Sequence, residues 1–366
     1  MKAALIGLPE VGKTTLFNAL TRQNAATHAY GARENEVHVG VIPVPDERFD
    51  VAVRLCQPKK QMPATIEVSD GAAQIEKTEA HPQRFGTDFF VGIRNSDALV
   101  LVIQAFSASA ESVVTEPLSP IQQVELVTEE LLIADLTIVE NRTARLLKNR
   151  SAKHLPAAEA AELSTLQLVQ KHLEALQPIR TMELSAEEWR SVKSMAFVTQ
   201  KPLILVSNLS EDEIGKPDRA PISEIQRYAS SNHLELIKLC AKIDMEVAQM
   251  DPAEEMEFLE AMGIKTPARD QLIQAIYRAL GYISFFTVGS DEVRAWTLRR
   301  GENALAAAGK IHSDIARGFI RAEVMPFQAF RQAGGWEEAK ATGAMRLEGK
   351  EYIVQDGDIV HIRFKI

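Results

Sequence analysis

Cysteine is almost missing: the 366 residues hold two, Cys56 and Cys240, far apart and without the spacing of a metal-binding cluster. That excludes a disulfide-stapled framework, and in a reducing setting the pair read as free thiols. Long apolar runs are missing too. No stretch reaches the roughly 20 residues that a bilayer-spanning helix needs. The opening Met1-Lys2-Ala3-Ala4-Leu5-Ile6-Gly7 is too briefly apolar for a signal peptide, and a lysine-bearing glycine loop follows at once. A cytoplasmic protein with no membrane partner is expected. Excess positive charge is also lacking. The balance is −9, so bulk electrostatics do not draw the chain to nucleic acid, and only a local basic face could do so. No Ser-His-Asp arrangement or metal cluster is legible, and His312, between Ile311 and Ser313, reads as packed or surface-exposed rather than catalytic.

What is there suits a chain that buries a core. Hydrophobic residues make up 46% and charged residues 25%, and the length allows two or three domains. Six short, nearly continuous apolar segments, at 3–7, 39–44, 64–68, 98–103, 202–206 and 234–239, read as buried parallel strands. A helix over 14–20 follows the first directly, giving a doubly wound α/β pattern. The gap between a strand ending near 106 and one beginning near 202 exceeds an ordinary connection. Leu131, Ala134, Ile138 and Arg145 recur there at helical steps, as do Leu163, Leu166, Val169 and Leu173, with breakers at 149–156 between them. An antiparallel helical hairpin inserted into the sheet domain fits, and so do crossover helices lying flat on the sheet. After Leu280 the pattern turns β-rich: 285–288 and 352–354 read as strands, Asp356-Gly357-Asp358 as a tight turn, and 359–366 as a last strand.

The chemistry begins at Gly7-Leu8-Pro9-Glu10-Val11-Gly12-Lys13-Thr14, a complete G-x-x-x-x-G-K-[ST] between an apolar strand and a helix. Its glycines let backbone N–H groups turn inward around phosphate oxygens, and the helix aims its positive end at them. Lys13 is then a point charge for the β- and γ-phosphates, and the Thr14 hydroxyl a ligand of Mg²⁺. Asp70 opens Asp70-Gly71-Ala72-Ala73-Gln74 at the end of a strand, where such proteins hold Mg²⁺ through an aspartate; a surface turn is the other reading. Gln74 either orients an attacking water or is a solvated glutamine. At the end of the 202–206 strand stands Asn208-Leu209-Ser210-Glu211, where GTPases carry Asn-Lys-x-Asp. Guanine presents two donors to that aspartate. Leu209 and the longer Glu211 compromise the guanine-specific geometry.

With these motifs in hand, the sequence resembles the YchF family of Obg-like ATPases over nearly its whole length. The resemblance rests on the phosphate loop with Thr15-Leu16-Phe17-Asn18-Ala19-Leu20, Gly40-Val41-Ile42-Pro43-Val44-Pro45-Asp46 and Ile93-Arg94-Asn95-Ser96-Asp97-Ala98. It continues through Glu129-Glu130-Leu131-Leu132-Ile133-Ala134-Asp135-Leu136 and Asn208 to Glu211. Its most specific part is carboxyl-terminal: Glu292-Val293-Arg294-Ala295-Trp296-Thr297, Ala308-Gly309-Lys310-Ile311-His312-Ser313-Asp314, Gly318-Phe319-Ile320-Arg321-Ala322-Glu323 and Tyr352-Ile353-Val354-Gln355-Asp356-Gly357-Asp358. It implies a P-loop G domain over 1–110 and 198–280, a helical insert over 111–197 and a β-grasp TGS domain over 281–366. It also implies Mg²⁺-dependent ATP hydrolysis in preference to GTP and a tie to ribosomes. Carried over residue by residue, the phosphate site falls on Gly7, Leu8, Pro9, Glu10, Val11, Gly12, Lys13, Thr14 and Thr15, and the Mg²⁺ site on Thr14 and Asp70. The adenine site falls on Asn208, Leu209 and Glu211, with Cys240-Ala241-Lys242 closing over the base.

This chain departs from the family in places. Glu10 replaces an asparagine that holds a monovalent cation in related proteins, 31–38 lacks the first-switch threonine, and Ala73 replaces a second-switch glycine. An Obg-type GTPase and a nucleotide-gated binding module with little turnover therefore remain beside the ATPase reading. Arg294, Arg299, Arg300, Lys310, Arg317 and Arg321 crowd the terminal region and read either as a face for ribosomal RNA or as a solvated surface balanced by Glu292, Glu302, Asp314 and Glu323.

Overall fold

The computed structural model describes residues 1–23, 38–70, 75–78, 81–106, 118–152, 155–262, 264 and 266–365. They divide into two compact units, one of 1–40 with 67–271 and one of 41–66 with 272–366.

The first unit is built on a six-stranded sheet. Its strands are β1 (Lys2–Ile6), β2 (His38–Pro43), β4 (Thr65–Asp70), β7 (Ala98–Gln104), β8 (Leu203–Asn208) and β9 (Glu235–Leu239), in the order β2-β4-β1-β7-β8-β9. Between these fall β3 (Lys60–Met62), which joins the other sheet, and the hairpin of β5 (Ile75–Thr78) and β6 (His81–Phe85). Pairs β1–β4, β1–β7, β7–β8 and β8–β9 are all parallel. Every residue of β8 is buried, as continuous apolar runs covered on both faces require. All six expected strands therefore lie in the sheet. Its order reverses beside β1, so the loop after β1 opens at the crevice where doubly wound folds bind ligands.

Helix α1 (Lys13–Thr21) follows that loop. Gly12 enters it at φ 94° and Arg22 ends it at φ 54°. Helices α2 (Glu47–Cys56) and α3 (Thr87–Arg94) come next, and then α4 (Pro120–Ala152) and α5 (Ala157–Glu174) fill the long gap. Packed helices joined by so short a link run antiparallel. Their shared core comprises Leu132, Val139, Leu146, Leu163, Leu166, Val169 and Leu173, joined by Ile179, Val192 and Phe197. On α5 the expected stripe is the buried one. On α4 the expected Leu131 is buried and Ile138 packs against that core, but Ala134 is only partly buried and Arg145 is exposed. Next to Ala134 stands Asp135, wholly buried, whose carboxylate accepts from the Val198 and Thr199 amides at 3.0 and 2.8 Å and from the Thr199 hydroxyl at 2.7 Å. An apolar periodicity cannot count such a residue. Helices α6 (Ala186–Val192), α7 (Ala220–Ser231), α8 (Ala241–Ala248), α9 (Pro252–Ala261) and α10 (Ala268–Ala279) complete the series up to the terminal region.

The second unit is a sheet in the order β13-β12-β14-β10-β11-β3, with β10 (Tyr282–Thr287), β11 (Glu292–Arg299), β12 (Phe319–Met325), β13 (Arg346–Glu348) and β14 (Ile359–Phe364). Parallel β10 and β14 lie inside antiparallel neighbours, and α11 (Ala304–Ile311) covers the core of Phe285, Leu298, Ala308, Val324 and Val360, a β-grasp arrangement. Two expectations are corrected. The unit takes in 41–66, because Lys60, Gln61 and Met62 pair with Glu292, Val293 and Arg294, and Arg48 bridges Asp46 and Asp356. The stretch 352–354 is not a strand: Ile353 makes one isolated bridge to Asn303, while the Tyr352 hydroxyl and the Gln355 amide both donate to Asp358 Oδ2. Those bonds draw the chain into the Asp356-Gly357 turn, where Gly357 takes φ 93°.

Candidate nucleotide site

The loop between β1 and α1 has the backbone its glycines foretell. Gly7 sits at φ 146°, and a Cβ there would stand 2.5 Å from the Val102 carbonyl oxygen; at Gly12, φ 94°, it would stand 2.3 Å from Asn208 Nδ2. Neither position admits another residue without moving the loop. Glu10 takes a positive φ of 62° at the exposed tip.

Lys13 is buried, and its ammonium donates to the Leu8 carbonyl at 2.7 Å. Burial pushes its pKa down to about 8, against the pull of the nearby Asp70 charge. The Thr14 hydroxyl donates to Asp70 Oδ2 at 2.6 Å. Asp70 closes β4 and is buried, and its Oδ1 has no hydrogen-bond partner among the described residues. A buried carboxylate oxygen with nothing to bind, next to a hydroxyl, is the hard-oxygen donor set that Mg²⁺ takes together with phosphate and water. The residues fit the ion. Gln74 and the 31–37 part of the first switch lie outside the described residues.

Asn208, at the end of β8, is buried and holds two loops together. Its Nδ2 donates to the Val11 carbonyl at 2.9 Å, and its Oδ1 accepts from the Ala241 amide at 2.9 Å. One N–H of the amide remains for a ring nitrogen. Leu209 is buried against Ala105, Ile222 and Ile214. Glu211 is half exposed, and its Oε1 receives the Lys242 ammonium at 2.6 Å. Cys240 caps α8; both its thiol and that of Cys56 are free, and burial raises their pKa values.

Asn208, Leu209, Glu211, Cys240, Ala241 and Lys242 line one cavity of about 720 Å³ with Glu10, Gly12 and Thr15 of the loop, within the range of small-ligand sites. Gly12 and Thr15 stand at its phosphate end, and Leu209, Glu211, Ala241 and Lys242 at the other. Sequence reasoning missed Glu213 and Arg219, an ion pair on its far wall. Glu213 also accepts from the Ser210 amide and hydroxyl in a capping box, and the S-x-x-E pattern of 210–213 was its available signal.

A phosphate loop at the switch point of a parallel sheet, with a lysine, a hydroxyl and a buried aspartate converging on it, defines a P-loop NTPase. A family model described as 50S ribosome-binding GTPase matches residues 2–142, and the YchF-GTPase carboxyl-terminal model, described as a protein of unknown function, matches 282–365. Curated relatives named "Ribosome-binding ATPase YchF" are 39% identical in Bacillus subtilis, over all of both chains, and 36% in Haemophilus influenzae, over all of this chain and 99% of that one. The solved Schizosaccharomyces pombe YchF GTPase superposes with a TM-score of 0.84 at 31% identity, covering 99% of this chain and 97% of that one. The chain belongs to the YchF family.

Proposed function

We propose that this protein is a Mg²⁺-dependent ATPase that works as a nucleotide-controlled switch on the ribosome, in the cytoplasm. The observation that carries the reading is the cavity that runs from the phosphate loop, at Gly12 and Thr15, to a base end where Leu209 replaces the GTPase lysine and Glu211 the GTPase aspartate. The relatives' printed names supply ATP and the ribosome. Lys13 leaves the Leu8 carbonyl for the γ-phosphate, and the backbone N–H groups of the 7–14 loop orient the phosphate chain. Thr14 and Asp70 would hold Mg²⁺, which when bound would supply charge neutralisation on the phosphate oxygens. Asn208 offers its remaining N–H to the purine, and Leu209 packs beside the ring. Cys240, Ala241 and Lys242 close over the base. Gln74 is assigned to the attacking water. Residues 281–366 and the helical insert at 111–197 are assigned to ribosomal contact. GTP binding is the second reading, favoured by the GTPase family model and by the name of the solved relative.

One experiment tests this: titration of ATP and GTP with Mg²⁺, then phosphate release with and without ribosomes. ATP preferred by about tenfold, with ribosome-stimulated release, is expected. Equal or tighter GTP binding would leave the Obg-type GTPase standing. Binding without release would leave a nucleotide-gated binding module.

A further inference from the structure

At the base end of the cavity, the acid Glu211 and the cation Lys242 are bonded to each other. The Lys242 ammonium sits 2.6 Å from Glu211 Oε1, and the pairing raises the lysine's pKa, so it stays charged at neutral pH. Both side chains are about half exposed and both line the cavity. Lys242 is the second residue of α8, whose start is anchored through Ala241 to Asn208. The backbone carrying the cation is therefore fixed relative to the base end.

The consequence lies in the number of acceptors Glu211 can offer. Guanine presents two adjacent donors, the N1–H and the exocyclic N2 amine, and one carboxylate satisfies both only by giving an oxygen to each. With an ammonium already on Oε1, a second donor converging there meets a like-signed neighbour, and Oε2 alone faces the base freely. Adenine presents one donor group, the N6 amine, beside the acceptor N1. One free carboxylate oxygen matches one donor group.

We infer that Lys242 is a specificity-determining positioning residue: by occupying one oxygen of Glu211 it reduces the site to a single free acceptor and denies guanine its paired bond. The inference rests on the assignment of this cavity to a purine nucleotide and deepens it. It moves the origin of base selection from the length of Glu211 alone to the pair Glu211–Lys242.

Inosine triphosphate separates the two ideas, since hypoxanthine keeps the N1–H and the carbonyl of guanine but lacks the N2 amine. Dissociation constants for ATP, GTP and ITP with Mg²⁺ are measured on the full chain and on Lys242→Met and Lys242→Arg. In the unmodified protein GTP and ITP bind within about twofold of each other, because the amine finds no acceptor. In Lys242→Met the second oxygen is released and GTP gains over ITP by about tenfold, the effect of one charge-assisted hydrogen bond. Lys242→Arg, which keeps a cation on Glu211, retains the unmodified ratio. A purely structural loss would weaken all three nucleotides together and leave the ratios alone. An unchanged GTP-to-ITP ratio in Lys242→Met overturns the inference, as does an unmodified protein that already favours GTP over ITP tenfold. A protein that prefers GTP to ATP while binding GTP and ITP alike overturns the ATPase reading and spares the acceptor count.

Discussion

Lys13 is held in a state that a bound phosphate would change. A lysine with a pKa near 8 is partly neutral at pH 8, and binding a polyphosphate must restore its charge. Free protein with a neutral Lys13 has to take up a proton before it grips the γ-phosphate. Triphosphate affinity should therefore be flat below about pH 7.5 and fall toward tenfold per unit above the lysine's pKa. Calorimetry in buffers of different ionisation enthalpy should register that proton uptake. Lys13→Ala removes the group and should weaken ATP by roughly 100-fold or more, since a charge-assisted bond to phosphate is strong. Unchanged ATP affinity in this variant would place the site elsewhere. Asp244, half-buried on α8 near Arg269 and Asp270, shows the opposite kind of shift: burial pushes its pKa up to about 6 from 3.8. Its folded form holds a proton more tightly than its unfolded form, so its contribution to stability is full below about pH 4. That contribution is lost as pH rises to about 6. Asp244→Asn should raise the melting temperature at pH 7.5 and flatten its dependence between pH 4 and 6. A lower melting temperature at pH 7.5 would show that Asp244 stabilises through Arg269 after all.

At the scale of elements, the hairpin of α4 and α5 is pinned to the segment before β8 by one buried side chain. Asp135 accepts three hydrogen bonds, from the Val198 amide and from Thr199 twice, and these bonds offset the desolvation that raises its pKa. Asp135→Ala leaves those donors buried and unpaired, at a cost of about 3 kcal/mol. Thermal unfolding should shift accordingly, while ATP affinity, set by elements at the other end of β8, should change little. A neutral effect on stability would mean that water reaches Val198 and Thr199. The same residue explains what the sequence conceals. The six strands of the first sheet and the phosphate loop are legible because apolar runs and a glycine-lysine motif report on backbone and burial directly. On α4 the buried Asp135 is missed, because an acid is read as polar. Segment 352–354 has strand-like composition, but side-chain bonds to Asp358 bend it into a turn. The pairing of Lys60 to Met62 with β11 joins residues more than 200 positions apart, and no local pattern encodes it. At the site, Lys13, Thr14 and Asp70 are legible as a set. The Glu211–Lys242 ion pair is not, because it depends on where α8 begins.

At the scale of the whole molecule, the ribosomal assignment turns on how the basic residues of the terminal region are used. The sequence groups six of them, and the structure divides the group. Arg294 lies 3.9 Å over the Trp296 ring, Arg299 5.7 Å over Tyr282, and Arg317 pairs with Asp314. Arg300, Lys310 and Arg321 are exposed and free of ring contacts among the described residues, so they are the ones able to meet phosphate. Deleting everything from Gly281 is a poor test, because β3 would lose the strand it pairs with and the unit that includes 41–66 would be torn. Point changes avoid this. Arg300→Ala, Lys310→Ala and Arg321→Ala together, in the full chain, should weaken ribosome association and lower its dependence on salt. Removing one phosphate interaction reduces the slope of log affinity against log salt by about 0.7–0.9, so the triple variant should show a slope shallower by about two units. ATP affinity and the melting temperature serve as controls, and both should stay near those of the unmodified protein. Undiminished association with an unchanged slope would move the ribosome-facing surface to the α4–α5 hairpin. Weakened association at constant slope would mean that these residues meet protein rather than RNA.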